Sequence, residues 1–178
     1  MKILFLDHDG VICLRKQWGS RFSKKSKKAG NKFDHFCPKA ISVLNDIIKE
    51  TDCEIVVSSD WRTKCSLQEM QVLYKARGIL KAPIDYTRVA SDMEPKIWKE
   101  TKEYKDFYAL AARVRETEIN DFLKKHNKSI TSWVAVDDLN MNKLDSFVLT
   151  PSQTEGIKQI GLKDKIIFAL NKTNLIFL

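Results

Sequence analysis

The chain opens on an uninterrupted apolar run, Ile3-Leu4-Phe5-Leu6, that stops abruptly at Asp7-His8-Asp9-Gly10. A run of that length with no polar alternation suits a strand buried on both faces, as in a parallel sheet. Further on, Pro38 stands where a first helical residue tolerates proline, and Ile41, Leu44, Ile47 and Ile48 repeat at helical spacing, predicting a helix to about Glu50. Glu54 to Val57 reads as a second buried strand running into Ser58-Ser59. Ser66 with Glu69 three residues later forms a capping-box pattern, Leu67, Met70, Leu73 and Tyr74 supply the stripe of the helix it opens, and Gly78 ends that helix. A third strand is predicted over Ile84 to Thr87, and a helix carrying Leu110, Val114, Ile119, Phe122 and Leu123 runs to about His126. Trp133 to Val136 is a buried strand ending in Asp137-Asp138, Phe147 to Leu149 a last strand, and Leu162, Ile166, Ile167 and Leu170 mark a closing helix.

Strands separated by helical patterns require crossover connections, so the expected fold class is α/β: a Rossmann-like, mostly parallel sheet with helices on both faces. In such sheets ligands sit beyond the carboxyl ends of the strands. Three predicted strands end in polar clusters, Asp7/Asp9, Ser58/Ser59 and Asp137/Asp138, and these are expected to converge. The length of 178 residues fits one domain, with 43% hydrophobic and 30% charged residues marking a globular chain. Two segments interrupt the pattern: a basic insertion at about 14–33, and residues 91–109, where Met93-Glu94-Pro95 breaks the chain before an aromatic stretch that suits a small helical insertion.

No apolar run approaches the roughly 18 to 20 residues that span a bilayer, and Asp7 cuts the opening run short of a signal-peptide core. The expected location is the cytoplasm, with no membrane partner. Cys13, Cys37, Cys53 and Cys65 lack the spacing of a metal knuckle or a disulfide framework and are expected to be reduced. The net charge of +8 is concentrated: Leu14 to Phe33 holds eight basic residues and no acid, so the rest of the chain is neutral. Such a run reads equally as a solvated loop or as a surface for a polyanion.

Asp7 and Asp9, two apart at a strand end, point to one side of the sheet, with Gly10 letting the chain turn out. With Asp137 and Asp138 they crowd four carboxylates at one edge, where a hard divalent cation with oxygen ligands, Mg²⁺ in a cell, would offset the repulsion. A metal on carboxylates polarises a phosphoryl group, an adjacent Asp can attack phosphorus, and a second carboxyl can protonate the leaving oxygen and later activate water. Ser58 and Ser59 offer donors for the transferring phosphoryl. His8, between the two aspartates, faces the opposite side and suits packing. Trp61 and Arg62 read either as the mouth of the site or as a core residue and a structural ion pair.

The stretches Leu4-Phe5-Leu6-Asp7-His8-Asp9-Gly10-Val11, Ile55-Val56-Val57-Ser58 and Val134-Ala135-Val136-Asp137-Asp138 resemble the first, second and fourth motifs of the haloacid dehalogenase (HAD) superfamily of phosphohydrolases. Val57-Ser58-Ser59-Asp60-Trp61-Arg62, Arg77-Gly78-Ile79-Leu80, Arg115 to Leu123 and Val148-Leu149-Thr150 with Gly156-Ile157 further resemble the small HAD domains grouped with RNA-repair proteins. The resemblance implies a HAD-like core with little or no large cap. It implies that Asp7 is the nucleophile and a metal ligand. Asp9 becomes the general acid and base, binding metal through its main-chain carbonyl. Ser58, or Ser59 in the alternate register, binds the phosphoryl group; Arg115 fills the third motif, where Lys is usual, with Arg113 and Lys96 as alternatives; and Asp137 and Asp138 complete the Mg²⁺ site.

The expected activity is therefore a Mg²⁺-dependent phosphatase acting on a phosphomonoester through an aspartyl-phosphate. The alternatives are a metal-dependent nuclease and a non-catalytic basic nucleic-acid-binding module. A response-regulator receiver is disfavoured because its phosphorylated Asp lies on a middle strand, and a P-loop kinase because no Gly-x-x-x-x-Gly-Lys-Ser/Thr loop occurs. The basic segment leaves the strand end that carries Asp7, so a phosphorylated substrate at an RNA or DNA end is the expected partner.

Overall fold

The computed structural model describes residues 1–15, 36–88 and 104–172. Most of the basic insertion and residues 91–103 of the expected helical insertion lie outside the described residues. Five strands, β1 (Lys2–Leu6), β2 (Glu54–Val57), β3 (Asp85–Tyr86), β4 (Ser132–Asp137) and β5 (Phe147–Leu149), form one sheet in the order β3-β2-β1-β4-β5. Every neighbouring pair is parallel. Among the described residues four α-helices accompany them: α1 (Pro38–Thr51), α2 (Leu67–Ala76), α3 (Tyr104–His126) and α4 (Leu162–Asn171).

Side-chain parity along β1 divides the interior in two. Leu4 and Leu6 face a core that includes Leu44 and Ile47 of α1, Met70 and Tyr74 of α2 and Ile166 and Leu170 of α4. Ile3 and Phe5 face the other, where Ile119, Phe122 and Leu123 of α3 pack on Trp133 and Ala135. Phe5 meets Phe122 and Trp133 edge-on, with ring centroids 5.5 and 6.0 Å apart, a geometry favoured by the ring quadrupoles. The unbroken apolar run thus follows from a central strand covered on both faces.

The helices start and stop as their caps dictate. Pro38 occupies the first turn of α1, and Ser66 and Glu69 exchange both capping-box hydrogen bonds at the start of α2. Two elements differ from expectation in extent. β3 is only two residues long, although the ladder continues as Ile84 N–H to Ile55 O and Thr87 N–H to Val57 O at 2.9 and 3.0 Å. Helix α3 is already helical at Tyr104, ahead of Leu110, so Phe107 and Tyr108 belong to the helix that covers the sheet. All four cysteines are buried, and among the described residues no helix is long and apolar enough to cross a membrane.

Candidate active site

Because β1, β2 and β4 run side by side in register, their ends deliver Asp7, Ser58 and Asp137 to one edge of the sheet. The main chain closes this edge: Asp7 N–H donates to Val136 O at 3.1 Å and Ser58 N–H to Leu6 O at 3.0 Å. Parity continues past β1. Asp7 falls on the α3 side, where Arg115 reaches it, whereas His8 falls on the other, its Nε2 2.7 Å from the Tyr74 hydroxyl and its ring packed against Phe36 and Trp61. Burial, with the Arg115 charge adding to it, pushes His8 down to about 3. It is a neutral packing residue over the pH range of life.

Gly10 is required here. It has φ +74°, and a Cβ would lie 2.4 Å from Asp138 Oδ2, so only glycine lets the β1 turn approach the β4 carboxylate. Asp7, Asp137 and Asp138 each bring one oxygen within 4.8 Å of the other two. Burial first, then the charge of Asp137, raises the Asp7 carboxyl well above the ordinary range. Burial also pushes Asp137 up to about 7, against the opposing pull of Arg115 and the Leu139 N–H. These acids are too buried and too crowded to ionise together without further positive charge.

Arg115, buried on α3, supplies part of it. Its Nη1 donates to Asp7 Oδ1 at 3.3 Å, to Asp137 Oδ2 at 3.1 Å and to the Ser58 carbonyl, and its Nη2 donates to Asp60 Oδ1 at 2.8 Å. Burial works against this charge, but Asp137, Asp7 and Asp60 outweigh it and hold the guanidinium above its ordinary pKa. One fixed monocation against three clustered carboxylates leaves negative charge over. The donor set is all carboxylate oxygen, which fits a hard divalent cation and not a soft one.

Around this cluster lies a cavity of about 270 Å³ lined by Asp7, Asp9, Ser59, Arg62, Arg115 and Asp138, among others. Ala111, Val114, Arg115 and Glu118 line it from one face of α3, the i, i+3, i+4, i+7 positions that share a face. Asp9 Oδ2 accepts from Trp61 Nε1 at 3.0 Å, so its carboxylate stands beside the acid cluster and is held by the turn after β2.

Of the two serines, Ser59 lines the cavity and caps the 3₁₀ turn Asp60–Thr63. Ser58 brings its carbonyl to Arg115 and its hydroxyl to Thr87, 3.5 Å away. Arg113 lines an adjoining cavity of about 650 Å³, which shares Asp138 and Gln153 with the first, and Lys96 lies outside the described residues.

Three participants escape the sequence reading. Asp60 looks in sequence like part of a turn, Gln153 donates to Asp138 Oδ2 at 2.8 Å from a loop with no motif, and Glu118 pairs with Arg62 across the fold. The spacing of Glu118 from Arg115 on one helix face is the only available signal for the last.

The protein family described as "HAD domain in Swiss Army Knife RNA repair proteins" matches residues 3–160. No curated protein and no solved structure matches the chain.

Proposed function

The chain belongs to the family of HAD domains in Swiss Army Knife RNA repair proteins, and on that premise we propose that it is a metal-dependent phosphatase working through an aspartyl-phosphate on Asp7. The observation that carries this reading is a buried Asp7 beside Asp137 and Asp138 in a cavity, with Arg115 bridging Asp7 and Asp137. Asp7, Asp137, Asp138 and the main-chain carbonyl of Asp9 are the groups to hold Mg²⁺, which when bound neutralises these acids and the phosphoryl oxygens.

A carboxylate oxygen of Asp7 attacks phosphorus as the bond to the leaving oxygen breaks, and Asp9 gives that oxygen its proton. Asp9 then takes a proton from the water that attacks the aspartyl-phosphate, which releases inorganic phosphate and restores Asp7. Arg115 keeps the Asp7 carboxylate oriented, and Ser59 at the cavity wall, with Ser58 as the alternate, offers hydroxyl and N–H donors to the phosphoryl group. Phosphate release from a panel of sugar phosphates, nucleotides, phosphopeptides and phosphate-ended RNA and DNA, with and without Mg²⁺, tests the reading. Mg²⁺-dependent release is expected. Strand cleavage without phosphate release would make the chain a nuclease, and salt-sensitive binding alone would make it a binding module.

The substrate we favour is a nucleic-acid end. Arg15, near the start of the basic segment, donates its backbone N–H to Gln153 O at 2.9 Å, and the Gln153 side chain lines the cavity and holds Asp138. The segment therefore departs from the cavity rim, where a strand leading to the scissile phosphate carries further phosphates. Replacing Lys24, Lys25, Lys27 and Lys28 with Ser should raise KM for a phosphate-ended oligonucleotide about tenfold at low salt and flatten its salt dependence. Turnover of p-nitrophenyl phosphate should hardly change; equal effects on both substrates would remove nucleic acid from the proposal.

A further inference from the structure

The cavity holds two guanidinium groups in different states. Both terminal nitrogens of Arg115 are engaged by Asp7, Asp137, Asp60 and the Ser58 carbonyl. Arg62 is not spent in this way. Its side chain is only 2% exposed, and Nη2 donates to Glu118 Oε2, but Nε and Nη1 meet no acceptor among the described residues. Buried donors on a cation are costly to leave unmatched, and a structural ion pair gives no reason to bury them beside a cavity.

The local chain holds this guanidinium in place from two sides. Arg62 N–H donates to Ser59 O at 3.1 Å within the capped 3₁₀ turn, and Glu118 grips one nitrogen from α3. The remaining N–H groups belong to a planar fork suited to tetrahedral oxyanions. Burial, with the Arg115 charge adding to it, holds Arg62 below its ordinary pKa. Glu118 and Asp60 pull the other way, and a phosphate dianion in the cavity would add to their pull.

We propose that Arg62 binds phosphate oxygens of the substrate in the catalytic cavity, while Glu118 orients the guanidinium and competes with the arriving anion. The proposal rests on the phosphatase reading for the identity of the ligand, and its chemistry is that of a phosphate oxygen. Two sources qualify: the transferring phosphoryl group, and the next phosphate along a nucleic-acid strand.

Calorimetric titration of the Mg²⁺-loaded protein with inorganic phosphate tests it without turnover. The double variant Arg62→Gln with Glu118→Gln removes both charges and leaves two neutral amides, so no buried charge is stranded, and it should weaken phosphate roughly 10- to 100-fold. Glu118→Gln alone should bind phosphate more tightly than wild type, which a merely structural pair does not predict. Wild-type phosphate affinity in the folded double variant overturns the proposal; should that variant not fold, failure of Glu118→Gln to tighten phosphate overturns it.

KM in the double variant distinguishes the sources. A rise for both p-nitrophenyl phosphate and a phosphate-ended oligonucleotide assigns Arg62 to the transferring group, and a rise for the oligonucleotide alone assigns it to the neighbouring phosphate. Wild-type turnover of p-nitrophenyl phosphate separates this inference from the reading beneath it. A chain that binds phosphate through Arg62 but releases none keeps the inference and loses the phosphatase; one that turns over while the variants bind as wild type does the reverse.

Discussion

Asp7→Asn should abolish phosphate release, by at least about 10⁴-fold, the order expected when a covalent nucleophile is removed. The fold should survive. The substituted amide keeps an oxygen for the Arg115 Nη1 that lies 3.3 Å from Asp7 Oδ1, and the change removes a charge that burial and Asp137 already disfavour. The melting temperature without metal should therefore match or exceed that of wild type. Asp9→Asn should fail differently, because its amide oxygen can still accept from Trp61 Nε1, which lies 3.0 Å from Asp9 Oδ2, and attack by Asp7 is untouched. With p-nitrophenyl phosphate, whose leaving group needs little protonation, that variant should show a burst followed by a stalled phosphoenzyme. Asp7→Asn should show no burst, and near-wild-type turnover in it would end the assignment of Asp7 as nucleophile.

The parts of this protein legible in its sequence are those set by short-range pattern. β1 could be read because a strand buried on both faces cannot afford a polar residue before its end, so its end is marked by the first aspartate. The match of the HAD family over residues 3–160 bears out the resemblance read from those strand-end motifs. The pattern of Arg115 with Glu118 and Ile119 favours it for the third motif, with Arg113 and Lys96 left as alternatives. The separation comes from helical phase, which turns Arg115 with Ala111 and Glu118 toward the cavity and Arg113 toward the neighbouring one.

Where chemistry depends on which strand-end residue turns inward, the pattern was silent. Ser58 and Ser59 are adjacent and identical, and it is the 3₁₀ turn beginning after Ser59 that sets Ser59, as its cap, at the cavity wall. The Arg62–Glu118 pair joins residues 56 apart in sequence, so an ion pair could be suggested for Arg62 but its partner could not be named. Gly10 announced a turn, but its close approach to Asp138 needed β1 and β4 to be neighbours, a fact of topology.

Replacing Asp137 and Asp138 together with Asn should remove Mg²⁺-dependent activity and, in the metal-free protein, raise stability at neutral pH. Burial, with the Asp138 charge adding to it, pushes Asp137 up to about 7 from the ordinary value of 3.8. Between those values the native chain keeps a proton that the unfolded chain has released, so stability falls as pH rises from about 4 to about 7 and this group changes nothing further above that. Mg²⁺ held by these carboxylates, as proposed, would replace that proton. It should therefore raise the melting temperature more at pH 8 than at pH 5, by several degrees for a chain of this size. Asparagine at both positions cannot ionise and offers no anionic ligand, so the double variant should lose Asp137's share of the pH slope and most of the Mg²⁺ response. The single variants divide the labour between the two, because Asp137 is tied to Arg115 and Leu139 N–H while Asp138 accepts from the neutral Gln153 amide at 2.8 Å. Asp138→Asn should weaken Mg²⁺ while leaving the Arg115 bridge intact, whereas Asp137→Asn should disturb both. A Mg²⁺ titration of the double variant, followed by melting temperature, that overlays the wild-type curve would place the cation away from these carboxylates and leave their crowding to Arg115 alone.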